Sequence, residues 1–195
     1  MPMTRVLILT TVALTLLTNA WAQASKTSSS AASRQVVKAQ RDVLPALQEA
    51  QSRILQMAKA IPADKYSFRP VPQMRSAGEI LEHISDLNEE YAQMMKKNLS
   101  DAEVAKLEAE GLKREKEITD KEQIIAKLQR SYDQLNGTLQ KMTTADLNRS
   151  ITINHQPTTT LGAWFELIAR SSRQLGQTIV YGRLNGILPP WAAGH

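Results

Sequence analysis

No cysteine occurs anywhere in the 195 residues. Disulfide staples, a thiolate nucleophile and thiolate metal ligands are therefore excluded. Stability must come from packing, and any metal must sit on His, Asp or Glu. Histidine is itself scarce, with only His83, His155 and His195. Beyond residue 22 no stretch approaches the ~20 apolar residues that a bilayer span requires. No block of Lys or Arg occurs either: the formal charge of +5 comes from 24 basic and 19 acidic residues spread along the chain. A nucleic-acid surface would need a basic stripe, so no nucleic-acid partner is expected. Internal repeats, a Gly-rich phosphate loop and a Ser/His/Asp constellation are also missing.

What is present starts at the N-terminus. Arg5 precedes the apolar run Val6–Leu17, and Ala20-Trp21-Ala22 follows before Gln23. This charged, apolar, small-residue order is that of a secretory signal peptide over residues 1–22. The run is short for an anchor, and with no Cys after the cleavage point a lipoprotein anchor is excluded. The expected mature chain is exported to the periplasm or beyond, spans no membrane and, having lost Arg5, carries +4. Residues 23–33 (QASKTSSSAAS) are small and polar, which predicts a flexible tether. Residues 34–191 then suffice for one domain.

Within that domain apolar residues recur at helical spacing in four segments. The first runs over about Arg34–Ile61, with Leu44, Leu47, Ile54, Ala58 and Ile61. Pro45 implies either a start near Asp42 or a kink. A Pro-rich passage follows to Met74. The second helix opens at Ser76, whose S-x-x-E relation to Glu79 is a capping box. It carries Ile80, Ile84, Leu87 and Tyr91 on one face, and His83. Residues 100–119 are rich in Lys and Glu, a solvated face with a short surface helix before Gly111. The third helix is expected from Thr119, boxed with Glu122, to Met142. Only Asp146–Thr159 has strand character, with a turn at His155-Gln156-Pro157. The fourth helix runs from Thr159/Thr160 to about Asn185, before Gly186. The fold class is all-α: four helices around an a/d-type core, with a short helix or loop inserted between the second and third.

Two blocks carry a family resemblance. Ile61–Asp86 contains S-x-x-E-I-L-x-H, and Gln174–Pro190 ends in G-Q…Y-x-R-L-x-G-I-x-P-P. Together with SYDQL at 131–135 they resemble the DinB-like superfamily, four-helix bundles that include metal-dependent thiol transferases and hydrolases. The resemblance implies a divalent metal on three histidines, one on the second helix and an H-x-x-x-H pair on the fourth. His83 matches the first. The pair falls on Arg170 and Gln174, a permanent cation and a weak neutral donor. A standard metal cofactor is therefore not expected. If nickel, zinc or iron is held, the candidate ligands are His83 and His155.

The same residues have plainer roles. His83 is a core-edge histidine paired with a carboxylate or with Gln174. Glu79, Asp86 and Glu90 are capping or solvent-facing. Arg170 either reaches solvent or pairs with Glu166, or else makes with His83 and Gln174 a donor-rich pocket for a carboxylate or another anion. The expected function is an exported bundle binding a small molecule or partner. The alternative is a metal-dependent hydrolase or transferase with an altered site around His83. An envelope interaction role rests only on the tether and the Lys/Glu-rich insert. Protein recovered from outside the cytoplasm should begin at Gln23 on N-terminal sequencing; an exported product retaining residues 1–22 would refute the leader.

Overall fold

A computed structural model describes residues 30–192 apart from 32, 35, 37, 39, 98, 154 and 155. The leader, His155, His195 and most of the tether lie outside the described residues. Helical residues occur as far back as 30, and the helix is continuous over residues 40–60, here α1. It runs through Pro45, so a start near Asp42 is ruled out. A 3-10 turn at Ala63–Lys65 leads toward α2 (Ala77–Met94). Then come α3 (Asp101–Glu117), α4 (Lys121–Lys141), the single-turn α5 (Thr144–Asn148), strands β1 (Ser150–Ile153) and β2 (Gln156–Thr159), and α6 (Thr160–Leu184).

The second and fourth bundle helices begin where their signals lie, and the fourth also ends at its signal. Ser76 and Glu79 exchange side-chain and backbone hydrogen bonds in a complete capping box. Thr159 caps α6, and Asn185 and Gly186 stop it, Gly186 taking a φ of +74 that favours glycine. The start of α4 differs from expectation. Its N-cap is Asp120, which accepts from Gln123 N at 2.9 Å, while Thr119 stays outside. Either side chain can cap, and the aspartate takes the position one residue on.

The strand-like stretch is a small antiparallel hairpin, with Ser150 opposite Thr159 and Ile153 opposite Gln156. Gln156 and Pro157 belong to β2 and not to a turn, and His155 lies outside the described residues. Proline is tolerated because β2 is an edge of a two-stranded ribbon. Ile151 and Ile153 point inward, following the two-residue period.

Helices α1, α2, α4 and α6 enclose two apolar clusters. One gathers Leu47, Tyr91, Leu135 and Trp164, with the two hairpin isoleucines. The other joins Ile54, Ile84, Leu128 and Tyr181. Between α2 and α4 a group of charges interrupts the apolar packing. Lys127 donates to Glu82 Oε2 at 2.6 Å and to Asp86 Oδ1 at 2.8 Å, and Glu82 is completely buried. The inserted helix α3 is longer than expected. It continues through Gly111 to Glu117 and lies over α2, where Arg114 also binds Asp86 Oδ1, at 2.9 Å from Nε. Gly111 allows this approach: a Cβ there would meet the Asp86 side chain at 3.3 Å.

Replacing Lys127 with Met should leave two buried carboxylates short of a counter-charge and destabilise the fold by about 3–5 kcal/mol in urea unfolding. Adding Glu82→Leu should recover part of that loss. A single-variant loss below about 1 kcal/mol would show the link to be structurally idle.

Candidate functional site

The site begins with a buried carboxylate that sequence reasoning assigned to a solvated face. Glu115 of α3 is 5% exposed. Its Oε1 is 2.7 Å from His83 Nδ1 on α2. From the other side Arg75 grips it with Nε at 2.6 Å from Oε2 and a terminal nitrogen at 3.2 Å from Oε1. Arg75 is fixed in turn because its carbonyl accepts from the Tyr181 hydroxyl at 2.7 Å. Burial pushes the Glu115 carboxyl up, but the His83 and Arg75 bonds outweigh it and hold the group below its usual range. Pairing of His83 with a carboxylate thus takes place, through a residue 32 positions away.

Beside this group lies a cavity of about 290 Å³ between α2, α3 and α6. His83, Glu90 and Tyr91 form one wall, Glu115 and Leu112 another, and Arg170 reaches in from α6. Arg75, Leu112 and Glu115 also border an open cleft of about 920 Å³ on the outer side. Arg170 does not pair with Glu166, which takes Arg173 instead at 3.4 Å. Its guanidinium lies over the Tyr91 ring, 5.4 Å from the centroid. Arg170 Nε and the Tyr91 hydroxyl are both buried without a hydrogen-bond partner. Gln174 is buried one turn further along α6 and is not part of this lining. The cavity therefore brings His83 and Arg170 together and leaves Gln174 outside it.

The acidic stripe on α2 divides into three fates. Glu79 caps its helix and pairs bidentately with Arg69. Asp86, expected to face solvent, is buried under α3 in the Lys127–Arg114 link. Glu90 is half-buried in the cavity wall. Burial, reinforced by Glu108 and opposed by Arg170, pushes its carboxyl from 4.5 up to about 7. Sequence reasoning also missed Glu82 and Lys127. A signal was available for Lys127, which falls at core spacing between Ile124 and Ser131.

Among the described residues no group of three or more His, Cys, Asp and Glu is placed to hold a metal ion. At the positions that the resemblance reserves for two further histidines the donors are a guanidinium and an amide, which do not fit a three-histidine centre.

Residues 46–174 match the DinB superfamily. The chain belongs to that superfamily. Solved DinB-like structures share its four-helix bundle. A DinB-like protein from Bacillus cereus superposes with a TM-score of 0.60 at 16% identity, covering 76% of this chain and 93% of its own. YfiT from Bacillus subtilis, described as a probable metal-dependent hydrolase with an unusual four-helix bundle topology, gives 0.59 at 14% identity over 76% and 88%. A mycothiol-dependent maleylpyruvate isomerase gives 0.59 at 6% identity over 70% and 59%. At such identities the likeness carries the fold of this DinB-superfamily chain and not its chemistry. No curated protein matches it in sequence.

Glu90 makes the stability of the domain depend on pH. A folded-state value raised above the unfolded one stabilises the fold fully below the unfolded value, and that stability is lost as pH rises through about 7. Partial exposure discounts the effect to about 2 kcal/mol. Urea unfolding between about pH 5 and 8 should show this decline in the wild type and a flatter profile in Glu90→Gln. Parallel profiles would refute it.

Proposed function

We propose that this DinB-superfamily bundle is an exported small-molecule-binding domain whose ligand enters the α2–α3–α6 cavity, and that it lacks the three-histidine metal site the resemblance implies. The observation that carries the proposal is Arg170. Its side chain borders the same cavity as His83, and its buried Nε has no hydrogen-bond partner. A guanidinium stays protonated throughout the physiological range. Facing a divalent ion at close range it would oppose binding by several kcal/mol, on the order set by Coulomb's law at intermediate dielectric. The same group favours a ligand with an acceptor or negative charge, through charge-assisted hydrogen bonds. A buried polar atom left unpaired costs about 1–3 kcal/mol. A ligand that satisfies the wall's polar groups recovers part of that penalty on binding. The cavity lies near the lower end of ordinary ligand-pocket volumes, which suits a compact molecule.

The experiment is a thermal-shift panel of small anions, neutral solutes and divalent metals, with metal analysis of the purified chain. A matching solute at 100 times its Kd adds ~2.7 kcal/mol, which raises the Tm of a domain this size by about 5–10 °C. The gain should vanish in Arg170→Ala, with nickel, zinc and iron giving none. Near-stoichiometric metal that disappears in His83→Ala would overturn the proposal and restore a metal-dependent hydrolase or transferase.

A further inference from the structure

The Arg75–Glu115–His83 chain does more than close the bundle edge. Glu115 is buried and bound on both oxygens, so it cannot turn away from His83 without breaking its bonds to Arg75. An ionised carboxylate on Nδ1 makes that nitrogen the protonated one and leaves the ring's lone pair on Nε2. No hydrogen bond among the described residues uses Nε2. The imidazole is thus fixed in plane and tautomer, with its basic nitrogen uncommitted beside the cavity.

The charges around the cavity are unevenly matched. Asp86 is bound by Lys127 and Arg114, and Glu115 by Arg75 and His83. Arg170, in contrast, joins no ion pair at contact distance among the described residues: it rests on the Tyr91 ring and meets Glu90 only through space, with Glu90 and Glu108 as the other carboxylates of the lining. Arg170 Nε and Tyr91 Oη are sealed from solvent in this structure. The long, rotatable stem makes Arg170 the part of the wall able to turn toward a ligand.

Resting on the small-molecule reading of this cavity, we propose that its ligand is a small carboxylate carrying a hydrogen-bond donor beside the carboxylate. Arg170 takes the carboxylate, and His83 Nε2 accepts from the neighbouring donor as base or nucleophile. Glu115 is a positioning residue that acts through His83. A hydroxyl on the ligand's α-carbon donates to Nε2, while Nδ1–H stays hydrogen-bonded to the ionised Glu115. With a leaving group at that carbon in place of the hydroxyl, the Nε2 lone pair forms the N–C bond and the leaving group departs with its electron pair. The product is a substituted imidazolium paired with Glu115.

That second step supplies the test. Bromoacetate and bromoacetamide differ in charge but alkylate histidine alike, and the chain has no cysteine to compete. Each reagent is reacted with the full-length protein, adducts are located by peptide mass spectrometry, and rates are normalised to N-acetylhistidine. Bromoacetate should label His83 about tenfold faster than bromoacetamide, the worth of one charge-assisted contact. Its rate should saturate with concentration and fall when acetate competes. Arg170→Met, which keeps the aliphatic stem, should erase the preference. Glu115→Gln should slow both reagents and leave the preference intact, and His83→Gln should give no adduct at 83. Circular dichroism melts check that each variant folds. Equal normalised rates for the two reagents overturn the carboxylate assignment while leaving a small-molecule cavity in place. Absence of a His83 adduct with either reagent, when the urea-unfolded chain is labelled there, overturns both.

Discussion

The Lys127 ammonium between Glu82 and Asp86 is the contact on which the rest of the site depends. It places a cation in the α2–α4 interface, where apolar packing surrounds it on both sides. Charges in such a position are tolerated only when paired and hydrogen-bonded. Burial holds Glu82 above its usual range against the pull of Lys127, which is the mark of a group taken fully out of water. The link therefore fixes the rotation of α2 relative to α4. Once that rotation is set, His83 and Glu90 fall on the adjoining side of α2, toward α3 and α6.

Helix α3 completes what that rotation begins. A four-helix bundle without it would leave Asp86 and His83 in water. With it, Arg114 extends the charge link, Gly111 lets the two helices meet over Asp86, and Glu115 reaches His83. The insert is thus both a cover for the buried charges and one wall of the cavity. Its outer face keeps the mixed Lys and Glu composition of a solvated helix, with pairs such as Lys113 and Glu117 at 3.7 Å. Solubility and site construction share one helix because they use opposite sides of it.

Within the DinB superfamily the scaffold is common and the chemistry is placed on it. The capping box that starts α2 and the Tyr181 hydroxyl that steadies Arg75 lie in the two blocks that carry the family resemblance. The groups that give this cavity its character are Arg170 and Glu115. One stands where the resemblance calls for a metal ligand, and the other comes from the insert that the resemblance covers least.

The sequence alone determined the four long helices, the caps that start the second and fourth, and the strand character before the fourth, because apolar period and capping are local properties written within about four residues. It also raised a carboxylate or Gln174 as the partner of His83, and Arg170 as a candidate for the pocket. Only the tertiary structure decided which carboxylate. Residues 100–119 look solvated by composition, and although Glu115 shares a helix face with Val104, Leu107 and Gly111 while Glu110 and Glu117 are exposed, nothing local says what that face meets. Its burial follows from α3 lying across α2, a contact between residues some 30 positions apart. Likewise Asp86 sits on a stripe that periodicity assigns to solvent, and it is buried because a helix beyond the four covers it. Local pattern fixes which face of a helix is apolar; what lies against the polar face is set by long-range packing alone.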